Sequence, residues 1–267
     1  MSLWLLLLLP VALGGIVSAQ QINIDPLSVR SVLLQLSSSG QVIATGTGFI
    51  VHKAQTDYLV TNWHVMTGRR PDNGAPLDSS GRTPDEIRVL HNVKGKLGSW
   101  KWESEPLFQN GQPRWIEHKR GRVVDVAFLP LTKTQNVEIY PTDLELRKTP
   151  IRLLPAGTVS IIGFPFGRSS FLGLPIWKTG SIASDPDIDY DNLPEFLVDA
   201  TVRPGMSGSP VYARRIGSYM DENGNTNIIT GSADRFVGIF AGVIDQYSEV
   251  GRVWKASAIL DIYDNLK

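Results

Sequence analysis

Arg203-Pro204-Gly205-Met206-Ser207-Gly208-Ser209-Pro210 decides the reading of this chain, because Gly-x-Ser-Gly-x-Pro mounts a nucleophilic serine beside donors for a developing oxyanion. A flexible glycine two residues before the serine lets the backbone amides of Gly205 and Ser207 converge on one negative charge. Gly208 and Pro210 then shape the turn that leads away from it. From average residue usage the four fixed positions coincide by chance in about 0.5% of chains of this length. The pattern therefore needs partners elsewhere in the sequence.

Two further strings supply them. Gly46-Thr47-Gly48-Phe49-Ile50-Val51, a short polar turn and Tyr58-Leu59-Val60-Thr61-Asn62-Trp63-His64-Val65 predict two strands with His64 at the end of the second. There a rigid scaffold presents the imidazole to a cleft. Arg122-Val123-Val124-Asp125-Val126-Ala127-Phe128-Leu129-Pro130 predicts an apolar strand with one embedded carboxylate, which is costly unless hydrogen-bonded or paired. The bland alternatives are a buried structural histidine, a structural carboxylate and an ordinary turn serine. The strand-end context of His64, with Thr61 and Asn62 before it, favours a general base. Other aspartates such as Asp143 sit in less strand-like surroundings. His52, His91 and His118 lack such context and are expected at the surface.

With His, Asp and Ser in that chain order, the sequence resembles the trypsin/chymotrypsin superfamily. Thr61-Asn62-Trp63-His64-Val65, Asp125-Val126-Ala127, Ile162-Gly163-Phe164-Pro165-Phe166-Gly167, Gly180-Ser181-Ile182 and Asp199-Ala200-Thr201 are similar to the protease body of cysteine-free bacterial Deg-type proteases. The Gly-x-Ser-Gly-Ser-Pro ending is also similar to glutamyl endopeptidases. The combined likeness covers roughly residues 30 to 245.

The resemblance implies an all-β fold: two antiparallel six-stranded β-barrels with the active site between them and a C-terminal α-helix. It implies an endopeptidase that works through an acyl-enzyme, with Ser207 as nucleophile, His64 as general base and Asp125 orienting the imidazole. The Gly205 and Ser207 amides would form the oxyanion hole, and Thr201, Phe240, Ala241 and Gly242 would contact substrate. Neither a metal nor an organic cofactor is implied. Thr201 would lie at the base of the primary pocket and 238–243 would form a wall, neither carrying a charge. Phe240 stands where glutamyl endopeptidases have a His, so small or medium apolar residues are expected before the cleaved bond.

Two departures matter. No following PDZ domain is expected in a chain of this length, and Met206 stands where animal digestive enzymes carry the Asp that pairs with a newly cut N-terminus. Activity is therefore expected without zymogen cleavage beyond leader removal. A non-catalytic binding module that keeps the double barrel is the competing class.

Composition agrees with this reading. Two barrels of about 100 residues each fit a chain of 267, and 42% hydrophobic content is ordinary for a globular core. Lys+Arg and Asp+Glu are both 26, so nucleic acid and anionic membranes are not the expected partners; protein or peptide substrates are. Oligomeric state stays open. The absence of cysteine excludes disulfides, thiolate chemistry and Cys-based zinc sites.

Segment 1–19, with an apolar stretch over 3–13 and the ending Val17-Ser18-Ala19, reads as a secretory signal cleaved before Gln20, giving a secreted or periplasmic protein. The alternative is an uncleaved membrane anchor, for which the stretch is short. Residues 20–147 would then form the N-terminal barrel with His64 and Asp125, and 148–267 the C-terminal barrel with Ser207.

Further strands are expected over 31–36, 41–51, 58–61, 86–90, 123–129, 158–163, 195–202, 210–212 and 236–244. Ala256, Ile259, Leu260, Tyr263 and Leu266 follow helical spacing. Trp100, Trp102 and Trp115, in the polar stretch 67–121, are expected to pack rather than bind. Asp185, Asp187, Asp189 and Asp191 alternate, so an extended chain would gather them on one face able to hold Ca²⁺. A solvated acidic loop is the favoured alternative, since Pro186 and Asn192 suggest a turn.

Overall fold

The computed structural model describes residues 4–6, 21–245 and 247–266. Most of the predicted leader, 1–19, lies outside them. Among the described residues no helix is long and apolar enough to cross a membrane.

The apolar runs of the first half become strands of one antiparallel sheet. Its hydrogen-bonded order is Ile116–Glu117, Ala127–Pro130, Thr56–Thr61, Gln41–Lys53, Ser31–Ser38, Glu86–Val93 and Val137–Glu138, with Lys96–Pro106 paired to Glu86–Val93. Among the described residues this eight-stranded sheet is not closed into a barrel, so the six-stranded barrel expected here is found as an open sheet. The path ends in two strands of two residues, and Lys96–Pro106 flanks Glu86–Val93 on the side away from Ser31–Ser38.

The second half does close. Thr158–Gly163, Ile176–Ile182, Glu195–Asp199, Val250–Lys255, Thr226–Val243 and Pro210–Met220 form a barrel in that order. Two of these strands run well beyond the predicted 210–212 and 236–244. Their outer parts form a projecting hairpin, with Asp221 accepting from the Asn223 and Asn225 amides at 2.9 and 2.8 Å. Ile216 and Ile228 on this arm are 78% and 89% exposed, so burial alternation, the signal that reveals a strand in sequence, is missing there.

One core cluster joins the halves. Phe49, Val60 and Phe128 of the sheet pack with Ile162, Tyr212 and Phe236 of the barrel. The Phe49 and Phe236 rings meet edge to face at 5.7 Å, a geometry aromatic quadrupoles favour. The helix Ala256–Tyr263 closes this cluster with Ala258, Ile259 and Ile262 buried. Its Asp261 meets His118 Nε2 at 3.0 Å.

His118 and His91 are buried, contrary to expectation, while His52 is exposed. His118 is held by the helix carboxylate; His91 is buried on the strand Glu86–Val93, and burial pushes its pKa down to about 4. The tryptophans contact protein as expected: Trp100 Nε1 donates to Leu172 O at 2.7 Å, Arg88 lies over Trp102, and Trp115 meets Phe108.

Candidate active site

His64 lies in a one-turn helix, Trp63–Thr67, rather than at a strand end. The strand Thr56–Thr61 stops because Asn62 turns its carbonyl to the amides of Val65 and Met66, at 3.1 and 3.2 Å. Gly68, left-handed with φ 64°, ends the turn with its amide on His64 O. Asp125 is also not within a strand. It lies between the short turn Gly121–Val123 and the strand Ala127–Pro130. The departure has a physical reason: this carboxylate is only 4% exposed, and the irregular backbone turns it toward donors that satisfy it. Its Oδ1 accepts the His64 backbone amide at 2.8 Å and its Oδ2 faces His64 Nδ1 at 2.7 Å. Asn62 Nδ2 donates to Asp125 O at 2.8 Å. A carboxylate only accepts, so Nδ1 carries a proton, and in the neutral imidazole Nε2 is then the acceptor.

The loop around Ser207 is defined by which amides are spent. Met206 donates to Arg203 O, Gly208 to Phe240 O and Ser209 to Met206 O, at 3.2, 2.8 and 3.0 Å. Among the described residues the amides of Gly205 and Ser207 have no acceptor. Gly205 has φ 92°, and a Cβ there would come within 2.5 Å of Phe164 O. At Gly208, φ 89°, a Cβ would fall 1.8 Å from Thr47 O. Both glycines are thus required by handedness and by close backbone approach.

His64 borders two clefts. One, of about 480 Å³, is lined by Ser207, Gly205, Val65, Leu77 and Arg82. The other, of about 400 Å³, is lined by Asp125, Ala241, Arg252, Trp254 and again Leu77. His64 and Ser207 share the first cleft with no hydrogen bond between their side chains, a contact that tightens in such sites when substrate binds.

The expected substrate-contacting residues are less uniform. Ala241 faces the second cleft, and a Cβ on Gly242 would stand 3.9 Å from Ser207 Oγ. Phe240 is wholly buried, its ring against Gly251 and among Met206 and Val253. Thr201 donates to the Glu249 carboxylate at 3.0 Å, which puts a charge beside a position expected to have none. Glu249 follows Thr201 by 48 positions, and nothing in the local sequence pairs them. Arg252 was also not expected. It sits in the cleft wall with its guanidinium 2.9 Å from Glu195, a buried carboxyl that burial pushes up to about 7 while Arg252 pulls it down.

The alternating aspartates do not share an extended face. Asp185 accepts the Asp187 amide at 3.1 Å, Asp189 pairs with Lys255 at 2.6 Å and Asp191 lies 3.8 Å from Arg252. Among the described residues no group of three or more His, Cys, Asp or Glu is placed to hold a metal ion.

A carboxylate-oriented imidazole, a serine in the same cleft and two free amides converge on acyl-transfer chemistry. Residues 46–218 match the trypsin-like peptidase domain family, and the chain belongs to it. It is a trypsin-like serine protease. No curated protein matches the sequence. Among solved structures it is similar to the active form of the Rv3671c protease of M. tuberculosis, with 17% identity and a TM-score of 0.46 over 89% of this chain and 81% of that one. It is also similar to a serine endoprotease from Yersinia pestis, with 16% identity and a TM-score of 0.45 over 89% of this chain and 62% of that one.

Proposed function

We propose that this protease cleaves peptide bonds through Ser207, His64 and Asp125, with an acyl-enzyme intermediate. The observation that carries the reading is the His64–Asp125 pair at 2.7 Å, bordering the cleft onto which Ser207 and the unspent amides open. Ser207 Oγ attacks the substrate carbonyl carbon as its proton passes to His64 Nε2. Asp125 keeps the tautomer and stabilises the imidazolium, and the oxyanion rests on the Gly205 and Ser207 amides. The C–N bond then breaks and the leaving amine takes the proton from His64. Water repeats the sequence to release the acyl group.

A fluorophosphonate probe is expected to label the wild type and not Ser207→Ala, whose peptide hydrolysis should fall by about 10⁶-fold with an unchanged melting curve. An unlabelled wild type would favour the non-catalytic binding module.

Three finer properties belong to the same proposal. Small or medium apolar residues are preferred before the cleaved bond, because the wall residues Ala241 and Val243 that line the second cleft are uncharged. Dominant cleavage of a peptide library after Arg or Lys would instead assign Glu249 as the pocket carboxylate. Activity needs no further N-terminal cut, because Met206 offers no carboxylate to a new N-terminus; activity gained only on trimming past the leader would refute this. Export rests on the apolar stretch over 3–13 and the small-residue ending before Gln20. N-terminal sequencing of the exported protein should begin at Gln20, whereas an intact leader in the membrane fraction would show an anchor.

A further inference from the structure

Thr47 comes from the first half of the chain and is wholly enclosed. Its backbone amide donates to Ser207 O at 2.9 Å. Its hydroxyl donates to Gly205 O at 2.7 Å and accepts the Phe164 amide at 3.1 Å. Its carbonyl accepts Thr61 Oγ1 at 2.7 Å. Three of these four bonds reach the second half, and two grip the backbone on either side of Met206.

The direction of that grip matters. In a trans peptide the C=O and N–H point opposite ways, so an anchored carbonyl fixes its plane. Pro204 O is held by the Phe166 amide at 2.6 Å and Met206 O by the Ser209 amide at 3.0 Å, which turns the Gly205 and Ser207 N–H groups away from those partners. The two peptide units that alternate with these carry Gly205 O and Ser207 O, and both are held by Thr47. Four successive carbonyls are therefore pinned, two of them by one residue.

The geometry points to Thr47 as a positioning residue for the oxyanion site. Its hydroxyl does not touch substrate. It holds the loop in the shape that leaves the Gly205 and Ser207 amides open to the cleft, and it ties that loop to the Phe164–Phe166 segment. Without the hydroxyl, Gly205 O and the Phe164 amide lose a buried partner, which favours a rotated peptide. The inference rests on the proposed role of Ser207.

Thr47→Val keeps the shape and removes the hydroxyl; Thr47→Ser keeps the hydroxyl. Thr47→Val should lower kcat about tenfold or more with KM nearly unchanged, and should slow fluorophosphonate labelling in parallel. Its affinity for a peptide aldehyde, which forms a tetrahedral adduct, should fall with kcat, while affinity for the product peptide stays. Thr47→Ser should restore kcat. If Thr47→Val does not fold, Thr47→Cys, whose thiol is a weak donor, takes its place with the same expected pattern. Equal labelling of the wild type and the hydroxyl-free variant would overturn the role of Thr47, as would Thr47→Ser being as impaired as Thr47→Val. A wild type that is not labelled would overturn the serine-nucleophile reading itself.

Discussion

The sheet and the barrel hold their parts of the site by different means. In the first half the sheet stays open, and His64 and Asp125 stand on irregular chain at its margin, fastened to each other and to Asn62 by bonds that never leave that half. In the second half every strand of the barrel is paired, yet the loop bearing Ser207 takes two of its carbonyl anchors from Thr47, outside the barrel. Closing a barrel satisfies strand edges; it does not by itself orient the loops at its rim. The imidazole–carboxylate pair is self-contained, and the loop bearing Ser207 is held across the docked halves.

The largest test of that contrast is His64→Ala. It should cost about 10⁶-fold in kcat, and combining it with Ser207→Ala should cost little more, because the two act as one unit. Additive losses would show that the halves contribute separately. Asp125→Asn should lower kcat by about 10⁴-fold through the wrong imidazole tautomer, and steady-state kinetics at saturating peptide would show it. A loss of only a few fold would mean that the first half does not orient the base as described.

Stability changes sharpen the comparison. Gly208→Ala should cost a few kcal/mol in urea unfolding, because its Cβ would collide with Thr47 O where the halves meet. Gly224→Ala has a similar φ, 84°, with open space around it, and should cost about 1 kcal/mol. Equal costs would show that backbone handedness alone, and not the junction, makes Gly208 necessary.

The smallest effect concerns pH. An unfolded Glu195 releases its proton near 4.5 and the buried one near 7. Its contribution to stability is therefore full below about 4.5 and lost as pH rises through about 7. Glu195→Gln should remove that decline in thermal melts taken from pH 5 to 8. His91 runs the other way, with its ordinary 6.5 pushed down to about 4, so its contribution is present above 6.5 and lost as pH falls through about 4. That acid-side slope should persist in Glu195→Gln.

The sequence carried much of this architecture because local rules sufficed where burial alternates. The strands around Phe49, Leu59 and Phe128 were legible, as was the glycine requirement beside Ser207. His64 and Asp125 were found by residue type and order, but their local structure was misread: apolar neighbours suggested strands where hydrogen-bonding needs bent the chain. The open sheet was not legible, since strand closure depends on pairing between distant segments that leaves no local pattern. Thr47, Glu249 and Arg252 escaped for a related reason, each acting across a long separation. The one trace of Thr47 was its setting, a polar residue between Gly46 and Gly48 in an apolar strand.

The Thr47–Gly205 bond spans 158 positions of chain. A ribosome adding about 5 to 20 residues per second needs roughly 8 to 30 seconds to make that stretch, and throughout that time the early half emerges without the segment it must clasp. A nascent chain that stops short of Gly205 and Ser207 therefore lacks both acceptors that Thr47 holds in this loop. Closing so long a loop carries a conformational-entropy cost that grows only slowly with its length.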